Sequence, residues 1–271
     1  MILNAVVVPG KSHRYFALDI LRGMTIALMI LVNTPGSWSH IYAPFRHAAW
    51  HGFTPTDLVF PAFLFVVGNA MSFSLKKYET VSEQHFLRKV FKRSLLIFVI
   101  GLFLSAFPFV YRSGGELVLK DLSNMRIMGV LQRIALCYLF ASLIIHYFKL
   151  KKSLIIGAII LLGYWGIMWF FGDAPDPYGL KTNAALKFDR MIFPEENLWK
   201  GFGIPFDPEG LLSTLPAIVN VIFGYAAGVF IQKWGNNLRT VWKLAVAGVV
   251  FIGIGLLWDI YFPINKGIWT S

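Results

Sequence analysis

Seven stretches of this chain are apolar over lengths that match the hydrocarbon core of a bilayer, at residues 15–36, 57–75, 94–110, 127–148, 154–172, 211–232 and 241–262. A core of ~30 Å takes ~20 helical residues, and backbone groups in lipid must be paired within the segment that carries them. The runs show no apolar–polar alternation of the kind a membrane barrel needs, so they predict helices. The expected fold is all-α, a polytopic transmembrane bundle of about seven spans. Composition agrees: of 271 residues, 56% are hydrophobic and 14% charged, with a mean hydropathy of +0.62. A soluble domain of this size is far more polar. Neither an internal repeat nor a low-complexity tract divides the chain, and residues 1–271 read as one membrane-embedded domain.

The net charge of +11 resembles a nucleic-acid footprint only in total, because the basic residues fall in the short gaps between apolar runs. Taking alternate gaps, fourteen Lys and Arg lie on one side and nine on the other. The richer side holds Lys11, Arg14, the loop from Lys76 to Arg93, Lys149 to Lys152, and Lys233 to Lys243. The positive-inside rule then predicts a cytoplasmic N-terminus, with the loop around His47 and the long 173–210 loop on the opposite face. Residues 1–10 lack the charged and apolar regions of a signal peptide. The single cysteine, Cys137, excludes an internal disulfide framework, and Cys/His spacing for zinc, a phosphate-binding glycine loop and a dinucleotide turn are all lacking. Neither a metal nor a nucleic-acid partner is expected.

The polar groups at the mouths of the runs are the candidate chemistry. His47, Trp50, His51 and Asp57 crowd the entrance of the second run. Thr54-Pro55-Thr56-Asp57 fits a helix start with Thr54 as N-cap, proline at the first helical position and Asp57 reaching back. Trp50 fits an aromatic belt at the interface. Within the runs, Asp19 and Arg22 are spaced to pair on one helix face, while Asn33, Gln132 and Arg133 are polar groups that lipid penalises. Arg133 calls for a carboxylate, backbone carbonyls or a ligand anion, with Asp19 one possible partner. Gly224 and Gly228 read as close helix packing. Asp207-Pro208-Glu209-Gly210 reads as the N-cap of the sixth run. On these residues alone, an enzyme and a carrier of acyl groups or small anions, lined by Asp19, Arg22, Gln132 and Arg133, both stay open.

Four ordered blocks narrow the choice: "RYFALDILRGMTIALMILVN", "RHAAWHGFTPTDLVFPAFLFVVGNAMSFSL", "RIMGVLQRIALCYL" and "LWKGFGIPFDPEGLLSTLPAIVNVIFGYAAG". Together they resemble the heparan-alpha-glucosaminide N-acetyltransferase family, from about Arg14 to the end of the chain. The resemblance implies a polytopic membrane enzyme that takes acetyl from cytosolic acetyl-CoA and transfers it to a glucosamine amine across the membrane. The family's catalytic histidine lies in a His-Ala-x-Trp-x-Gly motif, which falls here on His47 to Gly52, and the asparagine taken as its partner falls on Asn33. His51 occupies the variable position. The 33–47 segment is a few residues longer than in animal members, and family members continue with further spans, so the resemblance implies a C-terminally incomplete chain.

From this follows a set of expected roles. His47 serves as general base toward an ammonium, for which an imidazole titrating near ~6.5 is suited, or as acetyl acceptor in a two-step route. Asn33 orients it or donates to the developing oxyanion. Trp50, Asp57, Asp207 and Glu209 are candidate contacts to the amino sugar or glycan. Arg22, Arg133, Lys89, Lys92 and Arg93 are candidate contacts to acetyl-CoA, the co-substrate. The expected setting is a lipid bilayer, a bacterial inner membrane, with a homo-oligomer possible.

Overall fold

The computed structural model describes residues 16–37, 39–78, 81–235 and 237–270. The chain is helical, with α1 at Phe16–Asn33, α2 at Pro55–Ser74, α3 at Glu83–Ala106, α4 at Val130–Phe171, α5 at Ala184–Ile192, α6 at Thr214–Trp234 and α7 at Leu238–Trp258. Four helices, α2 with its following turn, α4, α6 and α7, are long and apolar enough to cross a membrane. The runs at 127–148 and 154–172 merge in the 42-residue α4, which is broken at Lys149 by a positive φ of 57°. The first run falls on α1 and the third on α3. Residues 1–15, which hold Lys11 and Arg14, and Trp38 lie outside the described residues.

Two elements differ from expectation. The third run ends early, because α3 stops at Ala106 and the chain turns into an antiparallel hairpin of β1 (Val110–Ser113) and β2 (Glu116–Leu119). The 173–210 loop carries the short α5, whose N-cap Asn183 accepts from the Leu186 amide at 2.8 Å.

The bundle is held by α2 against α6, α6 against α4 and α4 against α3. Close approach of α2 and α6 depends on glycine, as the small-residue spacing predicts. A Cβ on Gly224 would meet the Phe65 carbonyl oxygen at 1.9 Å, and one on Gly68 would meet that of Val221 at 1.9 Å. Around this seam Leu64, Met71, Phe86, Cys137, Val221 and Ile222 form the main core. Tyr164, Met168, Tyr178, Leu186, Phe206 and Ile268 form a second core beneath the 173–210 loop. Away from the charged residues near their starts, α1 and α7 expose apolar side chains, among them Ile26, Ile30, Val249 and Leu257, as lipid-facing helices require.

One helix start is corrected. Helix α6 begins at Thr214 behind Ser213, so Asp207 is not its N-cap. Asp207 instead closes a turn, its Oδ1 accepting from the Glu209 amide at 2.9 Å, because its carboxylate is drawn to Arg126.

Candidate active site

The second helix starts as its sequence predicts, and its cap builds the site. The Thr54 amide donates to Asp57 Oδ2 at 3.0 Å, closing the capping box, and the Ala48 amide donates to the same oxygen at 3.1 Å. The other carboxylate oxygen turns outward. His47 Nδ1 lies 2.6 Å from Asp57 Oδ1, and the histidine side chain is 49% exposed while Asp57 is 1% exposed. A buried carboxylate accepting from Nδ1–H leaves the lone pair on Nε2, the state that can take a proton or attack a carbonyl carbon. Asp57, expected as a contact to the acceptor, is bonded to the imidazole, a partnership its cap signature concealed.

Each remaining motif position has a mechanical task. The Trp50 indole donates to the Tyr178 carbonyl at 2.9 Å, and its ring packs edge-on against Phe202 and Phe206 at centroid distances of 5.6 and 5.3 Å. Trp50, expected in an aromatic belt or at a sugar face, thus ties the histidine loop to the 173–210 loop. Gly52 has a φ of +106°, which side-chain-bearing residues rarely adopt, and its amide donates to Ile264 O at 2.8 Å. The segment 262–270 folds back to receive it and is tied in turn by Tyr164, whose hydroxyl donates to the Ile268 carbonyl. His51 touches Trp50 edge-on at 6.2 Å.

A second polar cluster lies across the same segment. Arg126 forms a two-point pair with Asp207, Nε to Oδ2 at 2.8 Å and Nη2 to Oδ1 at 2.6 Å, and Nη2 also reaches Glu209 Oε2 at 2.5 Å. Burial opposes charge on Arg126, but Asp207 and Glu209 outweigh it and hold the guanidinium above its ordinary value. Burial likewise opposes charge on Glu209, yet Lys266, Arg126 and Arg133 keep its carboxyl below the usual range. Arg126 was not among the predicted residues. Its signal was a lone arginine just outside an apolar run, facing an acidic pair some eighty residues on.

Arg133 is fully buried, donating to Gly210 O at 3.0 Å and to the Ser213 hydroxyl, with its guanidinium 4.8 Å from the Trp269 ring centre. Backbone and hydroxyl oxygens are its partners; Asp19 pairs at 3.9 Å with Arg22 on α1. Trp269 also stacks edge-on against Phe60, one turn along α2 from Asp57, so it stands between the two clusters. Asn33 donates through Nδ2 to Met29 O at 2.8 Å on its own helix, and the contact recorded for the His47 ring is Asp57. Lys89 and Lys92 are exposed on α3, and Arg93 lies 4.9 Å over the Tyr138 ring. No group of three or more metal-ligating side chains occurs among the described residues.

Apolar helices of spanning length, with a carboxylate-held imidazole at the mouth of one of them, define an integral membrane protein with a polar site at the edge of its bundle. The catalytic-domain family model of heparan-alpha-glucosaminide N-acetyltransferase matches residues 14–255, and the chain belongs to that family. It is similar to the heparan-alpha-glucosaminide N-acetyltransferase of Mus musculus, 24% identical over 316 residues that cover 96% of this chain and 46% of the mouse protein. The Homo sapiens enzyme is 25% identical, over 95% of this chain and 45% of its own length. The chain thus spans a little under half the length of these relatives.

Proposed function

We propose that this protein is a membrane acetyltransferase that moves acetyl from acetyl-CoA to the amine of an amino sugar or glycan, with His47 at the centre of the reaction. The observation that carries the reading is the 2.6 Å contact between Nδ1 of a half-exposed His47 and buried Asp57, inside the region the family model matches. With Nδ1 committed to Asp57, Nε2 is the working nitrogen. In direct transfer it takes a proton from the glucosamine ammonium and the freed amine attacks the thioester carbon. The C–S bond breaks as CoA leaves as thiolate and takes the proton back from Nε2, and the new amide nitrogen releases its second proton to solvent. In a two-step route Nε2 attacks that carbon itself, CoA leaves as thiolate, and the amine then takes acetyl from the imidazole while losing a proton. Either way the thioester oxygen gains negative charge, and the Asn33 amide is the proposed donor to it. The acceptor approaches from the extracytoplasmic side and the donor from the cytoplasm, with α1, α3 and the two halves of α4 completing seven passes of a bacterial inner membrane.

The test is acetyl transfer by the purified protein in lipid nanodiscs, using labelled acetyl-CoA with glucosamine and glycan fragments as acceptors. His47→Ala should abolish transfer, whereas Asp57→Asn should lower kcat by ~10²-fold or more with little change in either KM, because the imidazole loses the acceptor that sets its tautomer. His51→Ala should have a much smaller effect than His47→Ala. Acid quenching that captures labelled acetyl on His47 supports the two-step route. CoA release that ignores the amino sugar and is unchanged in His47→Ala would sink the reading, and no CoA release at all would favour a carrier of acyl groups or small anions.

A further inference from the structure

Every residue of β1 and β2 is exposed, so the described chain leaves both faces of this hairpin uncovered. Residues opposite one another share a face. Val110 pairs with Leu119 and Arg112 with Leu117 on one face, Tyr111 with Val118 and Ser113 with Glu116 on the other. The first face is aliphatic except for Arg112 near the turn, and its Leu117 and Leu119 are 75% and 76% exposed. A two-stranded hairpin is marginal on its own in water, so such a face calls for an apolar neighbour.

Its position identifies that neighbour. Lys120, just past β2, donates through Nζ to the Ser105 carbonyl at 3.0 Å and ties the base of the hairpin to the last turn of α3. Gly101 of α3 packs on the Gln132 side chain of α4, so α3 ends close to the level at which α4 begins with Val130, the rim of the spanning bundle. The exposed outer face of α3, Leu96, Ile100, Phe103 and Leu104, runs on through Phe107 into Val110 without a charged residue. We infer that the hairpin lies on the membrane leaflet at the His47 side, with Val110, Leu117 and Leu119 at the boundary of acyl chains and headgroups and Arg112 reaching the lipid phosphates. The hairpin's outer edges carry unpaired N–H and C=O groups, which the hydrocarbon core rejects and the wet headgroup layer accepts. An aliphatic face with one long basic side chain toward the turn, able to reach up to the headgroups, matches the make-up of interfacial segments. This inference stands on the membrane placement of the helices and not on the chemistry at His47.

Leu117→Cys, Leu119→Cys and, at the turn, Ser113→Cys are each labelled with an environment-sensitive fluorophore in the full chain reconstituted in lipid; buried Cys137 gives the labelling background. The labels at 117 and 119 should show blue-shifted emission, strong quenching by lipids with nitroxides near the headgroup, and little quenching by iodide, while the label at 113 should show the reverse. Equal iodide quenching at all three positions would overturn the inference. So would a blue shift at 117 and 119 that fades as protein is diluted in lipid, because a second copy of the chain would then be covering the face.

Discussion

Asp57 divides its carboxylate between a helix end and an imidazole, and that division explains what its sequence reveals and what it hides. The capping box is local: Thr54, Pro55 and Asp57 declare it within four residues. The same signature accounts for Asp57 completely, so the bond to His47 ten residues earlier leaves no further mark. Trp50 is harder still, since its acceptor is Tyr178 and its packing partners are Phe202 and Phe206. Asp189 is the extreme case. In sequence it is one acidic residue in a polar loop. In the fold it is buried, its Oδ1 accepts from the Leu211 amide at 2.9 Å, and its Oδ2 has no hydrogen-bond partner among the described residues. Burial pushes its carboxyl up from 3.8 to about 7, against the pull of those amides and of Arg133. The folded state therefore keeps a proton that the unfolded chain releases between pH 3.8 and about 7. Stability should fall as pH rises through that window and level off above it, by at most on the order of 4 kcal/mol. Asp189→Asn keeps an oxygen for the amides and removes the ionisation. Melting in detergent from pH 5 to 8 should show a clear loss of Tm in the parent and a flatter profile in the variant; parallel profiles would assign the titration to another group.

At the scale of elements, length and apolarity were legible and terminations were not. The runs on α2, α6 and α7 emerge as helices within a few residues of their sequence limits, because each is apolar for a full crossing. The third run overshoots at the hairpin and the sixth starts early. In both, an apolar stretch was read as helix up to its end, whereas Pro108 halts α3 and the Arg126 pair holds the residues before α6 in a turn. Helix α5 escaped notice because a nine-residue amphipathic segment inside a charged loop has no run long enough to stand out. Small residues were better guides. Gly224 packs on Phe65 and Gly228 on Asn69 and Ser72, so the spacing did mark a seam. Gly224→Leu should accordingly push α2 from α6 and lower stability by about 1–3 kcal/mol or more, the range typical of overpacking. Gly253→Leu on α7, where a Cβ meets nothing within 4 Å, should leave it unchanged. Comparing the two in a detergent melting assay checks the seam, and equal losses of Tm would mean that α2 and α6 do not depend on close contact there.

For the whole molecule, the proposed reaction asks how a donor from one side meets an acceptor from the other, and the register of α3 on α4 bears on it. Phe86 stacks on His146 at 3.9 Å, Arg93 lies over Tyr138 at 4.9 Å, and the Ser94 hydroxyl donates to Ala135 O at 2.8 Å. The two helices are therefore antiparallel, with Arg93 opposite a residue eleven positions before Lys149, or about 16 Å along a helix rising ~1.5 Å per residue. Lys89, Lys92 and Arg93 are exposed on α3, and Arg93 lies well inside the level at which the first half of α4 ends. Charges at that depth are penalised unless they reach an interface or pair with a ligand. The proposed donor, acetyl-CoA, has the matching shape: an anionic nucleotide end that lipid excludes, and a long, thin arm able to pass between helices toward His47. On this account the three basic residues hold the phosphates and the arm delivers the thioester. Arg133, the deeper candidate for the donor, bonds through Nη2 to the Gly210 carbonyl and the Ser213 hydroxyl on the His47 side of the bundle. Replacing Lys89, Lys92 and Arg93 together with glutamine should raise the KM for acetyl-CoA several-fold while the KM for the amino sugar changes little, and the gap should narrow as salt screens the parent. The same residues also weigh on orientation, so accessibility of single cysteines at the exposed positions Ser39 and Lys151 to an impermeant reagent must first match the parent. A correctly inserted triple variant with an unchanged donor KM would move the phosphates elsewhere and end the threading model.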